Sequence, residues 1–187
     1  MNYKIIIPVN TNETMIFGDG YALPITDYIV NDDGLTINEY DKVSVLFITN
    51  NTDDGTMTLF NKIDKLSDEL RNVIPQMERE VIVVDDPGEI LSNINLFNSL
   101  KDHTIMADTT YGTTNYIIGV HCLLSFMKRY WTDVYVRKIL DGVEDVTPTF
   151  YINELVHSTQ KPSDIINFIS VMTKTNKIYK EKEVVEI

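Results

Sequence analysis

Short runs of consecutive apolar residues alternate along this chain with stretches in which apolar positions recur every three to four residues. Lys4 to Val9 and Val43 to Ile48 are short, β-branched and bounded by polar residues, which predicts two buried strands. The first breaks at Asn10-Thr11-Asn12 and the second at Thr49-Asn50-Asn51-Thr52. Between them, Phe17 to Val30 carries Gly18, Gly20 and Pro24 without a clean period, and reads as a loop with room for a short strand or helix. Leu59, Ile63, Leu66 and Leu70 lie on one helical face, and Pro75 ends that helix. Val81 to Val84 predicts a third buried strand. Asp86-Pro87-Gly88-Glu89 then places a capping residue, a first-turn proline and an acidic residue ahead of a helix bearing Ile90, Ile94 and Phe97. Thr104 to Ala107 is the next strand, Asp108 to Thr114 a polar loop, and Ile117, Val120, Leu124 and Met127 the inward face of another helix.

Repeated strand, loop and helix units of this kind predict an α/β fold, a Rossmann-like three-layer domain with a mainly parallel central sheet. From Val134 the pattern changes. Val134 to Leu140, a turn at Asp141-Gly142 and Thr149 to Ile152 read as a terminal antiparallel strand pair. The expected organisation is one domain over residues 1–160, followed over 161–187 by a helix bearing Ile165, Ile169 and Met172 and a charged tail. That segment either packs on the domain or leads into a linker.

Composition narrows the function. With 28 acidic against 16 basic residues the formal net charge is −12, which disfavours an electrostatic footprint on duplex nucleic acid or an anionic membrane surface. A small anion is not excluded, because a few oriented N–H groups bind phosphate locally whatever the total charge. There is no apolar run long enough to cross a bilayer, and the first residues have too short an apolar stretch for a signal peptide, so a cytoplasmic location is expected. The single cysteine, Cys122, falls in an apolar helical stretch and reads as a small core residue. His103, His121 and His157 show no metal-ligand spacing with it, so neither a metal nor a cofactor is expected. No G-x-S-x-G elbow occurs, and Gly18-Asp19-Gly20 lacks the strand, helix and third glycine of a dinucleotide fingerprint.

In open parallel sheets the ligand crevice lies beyond the carboxyl ends of the strands, which directs attention to the loops at 10–14, 49–56, 85–89 and 108–115. Most are dense in threonine and asparagine. In the last, Gly112 would let the backbone approach a ligand, or adopt a positive φ, just before a helix start with outward-pointing N–H groups. The same residues also serve as ordinary helix caps and turns.

The segment Asp108-Thr109-Thr110-Tyr111-Gly112-Thr113, preceded by Thr104 to Ala107 and followed by a long apolar helix, resembles the ligand-loop motif of CARF domains, the Rossmann-fold sensors of type III CRISPR systems. The order of elements over residues 3–160 is similar. The resemblance implies a homodimer that binds cyclic oligoadenylate across its two-fold axis in antiviral defence, cyclic tetra-adenylate being favoured over hexa-adenylate. The ligand-binding residues it implies are Asn10, Thr11, Thr49, Asn50, Thr110, Tyr111, Gly112, Thr113 and Thr114. Thr114 and Asn115 stand where the commoner family form has lysine and proline, which removes one phosphate contact. Lys161 is either a charge stabiliser or a solvated lysine. None of the three histidines completes the arginine–histidine motif of the HEPN ribonucleases that often accompany such domains. Three readings stay open: a metal-independent ring nuclease with no catalytic residue singled out; a non-enzymatic sensor, whether part of a longer effector or a ligand-responsive regulator; or an unrelated Rossmann-like protein that binds another nucleotide.

Overall fold

The strand β1 (Asn2–Pro8) is apolar on both faces because it lies in the middle of a sheet covered on both sides. In the computed structural model, residues 1–10, 16–17, 20–21, 23–31, 35–50, 56–130, 135–141 and 144–145 are described. Alongside β1 run β4 (Lys42–Thr49) and β6 (Thr104–Asp108), both parallel to it, with Tyr3 opposite Val43 on one side and Thr104 on the other. Outside these lie β5 (Glu78–Val83) and β7 (Tyr135–Asp141), again parallel, giving the order β5-β4-β1-β6-β7. These five parallel strands and their helices form a Rossmann-like α/β fold. A two-residue strand, β8 (Glu144–Asp145), turns back on β7. The strand expected at Thr149 to Ile152, the helix and tail after residue 160, Thr11, His157 and Lys161 lie outside the described residues.

Alternation along β1 sorts its side chains between two cores. Tyr3, Ile5 and Ile7 pack with Ile25 and Ile29 of α1 (Pro24–Asn31) and with Leu59, Ile63, Leu66 and Leu70 of α2 (Thr56–Val73). Ile6 faces the other way, toward Ile90 and Leu91 of α3 (Gly88–Ser92), Leu96 of α4 (Ile94–Ser99) and Val120, Leu123, Leu124 and Met127 of α5 (Thr114–Tyr130). Cys122 is buried in this second core. A small hairpin of β2 (Ile16–Phe17) and β3 (Gly20–Tyr21) precedes α1, so the unpatterned stretch before Val30 contains both a strand pair and a helix.

Two expectations change. The strand placed at Val81 to Val84 begins at Glu78 and is an exposed edge, half of whose residues are charged. Backbone pairing with β4 needs no apolar side chains, and charges on an edge deter further pairing. The helix expected through Ile90, Ile94 and Phe97 is broken at Asn93, whose backbone is extended at φ −80° and ψ 93°. Its side-chain oxygen accepts the N–H groups of Asn95 and Leu96, capping a new helix and ending the old one.

Candidate functional site

The strand order reverses between β1 and β6, since the connection from β1 runs to β4 on one side and the later strands are added on the other. At such a switch point the loops after the two strands diverge and leave a crevice at their carboxyl ends. Here those loops begin at Val9-Asn10 and at Thr109. They are tied together: the Asn10 N–H donates to the Tyr111 carbonyl at 3.0 Å.

The tie extends into a circuit around the crevice. Asn10 Nδ2 donates to Asn50 Oδ1 at 3.1 Å, linking the ends of β1 and β4. The Thr49 carbonyl accepts the Val84 N–H at 2.7 Å, linking β4 to β5, and the Val84 carbonyl accepts the Tyr116 hydroxyl from the first turn of α5. Burial, with Asp85, Asp86 and Glu89 nearby, pushes the Tyr116 hydroxyl far above its ordinary pKa, so it remains a donor. Four loop regions are thereby locked against one another by groups that are mostly backbone.

Asp108 forms the floor of the loop. Its Oδ2 accepts the Ile25 N–H at 2.9 Å at the start of α1, and its Oδ1 accepts the Thr110 N–H at 3.1 Å. Thr109 is buried and bonds through both its N–H and its hydroxyl to the Leu140 carbonyl. These anchors hold Thr110 to Thr113 above β6. The Thr113 carbonyl then accepts N–H groups from Tyr116 and Ile117, which opens α5. Gly112 is required for room: an added Cβ would lie 3.0 Å from both Pro8 Cγ and Ile117 Cγ1. Its φ is outside the left-handed region, so the positive-φ argument does not apply.

Of the expected binding residues, Thr113 and Thr114 are exposed at the start of α5, and Thr110, Gly112, Asn10 and Asn50 are half-buried around it. Thr49 and Tyr111 occupy other positions. The Thr49 hydroxyl is fully buried and donates to the Val9 carbonyl at 3.0 Å, while the Tyr111 ring sits in the core beneath the loop. A β-strand terminus and a buried aromatic explain both, since a hydroxyl inside the sheet must find a carbonyl and a ring of that size supplies apolar area.

The structure adds Lys62, which is 5% exposed and places its ammonium 4.4 Å from the centre of the Tyr111 ring. Its position was available in the helical pattern, three residues after Leu59 and four before Leu66, and therefore on the inward face of α2. No family model, curated protein or solved structure matches this chain. No helix among the described residues is long and apolar enough to cross a membrane.

A cleft of about 460 Å³ opens at the opposite, amino-terminal end of the sheet. There the buried Lys4 ammonium bonds to Glu80 Oε2 at 2.7 Å and Ser44 Oγ at 3.1 Å, and Ser44 donates to Glu80 Oε1 at 2.6 Å. Burial alone would raise the Glu80 carboxyl, but these hydrogen bonds and the charges of Lys4 and His103 hold it below its ordinary value. The cleft is also lined by Glu39, Glu78, Lys42 and by Asp41, which pairs with the amino-terminal ammonium, and its buried cation is already neutralised.

Proposed function

We propose that this protein binds a phosphate-bearing nucleotide at the switch-point crevice, and that the ligand is cyclic oligoadenylate, held across the two-fold axis of a homodimer in the cytoplasm as part of type III CRISPR antiviral defence. The observation that carries the reading is the packing of Gly112 against Pro8, which brings the start of α5 directly over the end of the central strand. The helix dipole adds about 0.3–1 kcal/mol for an anion placed at the start of α5, where the Thr113 carbonyl already takes the Tyr116 and Ile117 N–H groups. The exposed Thr113 and Thr114 would supply hydroxyls beside that start, with the half-buried Thr110, Asn10 and Asn50 on the adjoining loops. Cyclic tetra-adenylate is favoured over hexa-adenylate on the resemblance of the Asp108 to Thr113 loop to CARF ligand loops.

Cleavage of the ring would proceed without a metal by in-line attack of a ribose 2′-hydroxyl on the adjacent phosphorus. The protein's task would be to fix that geometry and stabilise charge with N–H and O–H donors. Both Asp108 oxygens accept backbone N–H groups and the Tyr116 hydroxyl is held neutral, so neither residue is assigned as a base in this reaction.

Titration with labelled cyclic tetra- and hexa-adenylate, followed by separation of products and light scattering, tests the proposal. The expected result is saturable binding at one ring per two chains. Linear products would establish the nuclease reading and an unchanged ring the sensor reading, whereas a monomer that binds neither ring would refute the proposal.

A further inference from the structure

We propose that Asp86 is a recognition residue whose Oδ2 accepts a hydrogen bond from an O–H or N–H group of the ligand seated against the start of α5. The proposal rests on the reading of the crevice as a nucleotide site and goes further, assigning the crevice a preference for donor groups.

Asp86 follows β5 at the carboxyl end of the sheet and is only 4% exposed. Its Oδ1 accepts the Gly88 N–H at 2.8 Å, and its backbone carbonyl accepts the Glu89 N–H at 2.8 Å, so half of the carboxylate and the main chain are occupied in starting α3. Its Oδ2 is buried and receives no hydrogen bond from the described residues. A buried carboxylate oxygen without a donor is among the costlier polar groups a protein can hold, and such groups call for a specific explanation. The residue is close to the first two turns of α5, because the Val84 carbonyl two residues before it accepts the Tyr116 hydroxyl and a Cβ added at Gly119 would lie 3.3 Å from the carbonyl oxygen of Pro87 beside it.

A second atom gives the same indication independently. Asn10 Oδ1, at the end of β1, is also buried and receives no hydrogen bond from the described residues, although its Nδ2 is bonded to Asn50. The loops after β1 and β5 thus each hold a buried acceptor without a donor among the described residues, and both loops are tied to the start of α5, through the Tyr111 carbonyl and the Tyr116 hydroxyl, where Thr113 and Thr114 are exposed. A phosphodiester group satisfies those threonine hydroxyls and has no donor for the two acceptors. A nucleotide satisfies both, through its sugar hydroxyl or the exocyclic amine of its base.

The test uses Asp86→Asn, which retains the oxygen that accepts the Gly88 N–H and replaces Oδ2 with a donor. Calorimetry would compare the wild type and this variant with cyclic tetra-adenylate, its 2′-deoxy analogue and its inosine analogue. The variant is expected to bind the parent ring about tenfold or more weakly, the loss typical for a hydrogen bond to a charged group. One analogue should weaken the wild type by a similar factor and the variant no further. Loss with the deoxy ring identifies the hydroxyl as the donor, and loss with the inosine ring identifies the amine. The ligand-free variant should melt no lower than the wild type. Equal affinity of wild type and variant, wild-type indifference to both analogues, or a lower melting temperature of the free variant would each overturn the assignment of Asp86 while leaving the nucleotide reading in place. A wild type that binds no ring would overturn that reading, and this proposal with it.

Discussion

Gly112→Ala probes the contact that brings the proposed anion seat over the central strand. An added Cβ would lie 3.0 Å from Pro8 Cγ, 3.2 Å from Pro8 Cβ and 3.0 Å from Ile117 Cγ1. The isoleucine can change rotamer, but the pyrrolidine ring is fixed to β1, where Pro8 pairs with Ile48. Overpacking of this kind costs about 1–3 kcal/mol, and the lower entropy of an unfolded chain with alanine offsets about 0.4–1 kcal/mol. The net expectation is a loss of about 0.5–2 kcal/mol, or a fall in Tm of about 2–6 °C for a chain of this length. Valine carries more bulk and would lower stability together with ligand affinity, so alanine is the more informative substitution. Thermal and urea unfolding of Gly112→Ala, Pro8→Ala and the double variant forms a cycle. Removing Pro8 Cγ should recover part of the loss, giving a coupling of about 0.5–1 kcal/mol. An unchanged Tm for Gly112→Ala, or strict additivity in the double variant, would refute the argument that this glycine is required for close packing.

Glu80→Ala should cost about 2–3 kcal/mol in urea unfolding because it leaves the buried Lys4 ammonium with Ser44 alone, whereas Lys4→Met should cost less than about 1 kcal/mol because Glu80 is half-exposed and can be solvated. The Glu69 carboxyl is raised by burial despite hydrogen bonds from the Leu23 N–H and the Thr26 hydroxyl, so its contribution is fully present below its unfolded pKa and lost as pH rises through the folded value. Glu69→Gln keeps an acceptor for both donors, and its Tm should therefore exceed that of the wild type at pH 7 and match it in acid. Ring affinity should fall with salt at a log–log slope of magnitude about 1–2, as expected for a site built on amides and hydroxyls. A steep slope would place the phosphate contacts on lysine or arginine side chains elsewhere.

The parallel sheet was legible because Lys4 to Val9, Val43 to Ile48 and Thr104 to Ala107 are short apolar runs that a strand buried on both faces requires. The extra length of β5 was not, since Glu78-Arg79-Glu80 pair through backbone groups that leave no hydrophobic trace. The break at Asn93 was equally hidden: Ile90, Ile94 and Phe97 keep a helical spacing across it, and only the capping capacity of an asparagine marks the division. For the site, the crevice loops followed from strand order, but the orientation of individual side chains did not. Thr49 faces a carbonyl inside the sheet and Thr113 faces solvent, although both are threonines in polar loops. Lys4 shows a similar limit, because a lysine at the start of an apolar run reads as a boundary residue until Ser44 and Glu80 are known to lie beside it.

Amide hydrogen exchange with and without cyclic tetra-adenylate tests the central claim most directly, since it reports where the ring sits as well as whether it binds. Slower exchange is expected for peptides spanning residues 109–117 and the end of β1 near Asn10, with no change in the peptides around Lys42 to Ser44 and Glu78 to Glu80 that border the amino-terminal cleft. Protection confined to that opposite cleft, or binding without protection at the start of α5, would contradict the account.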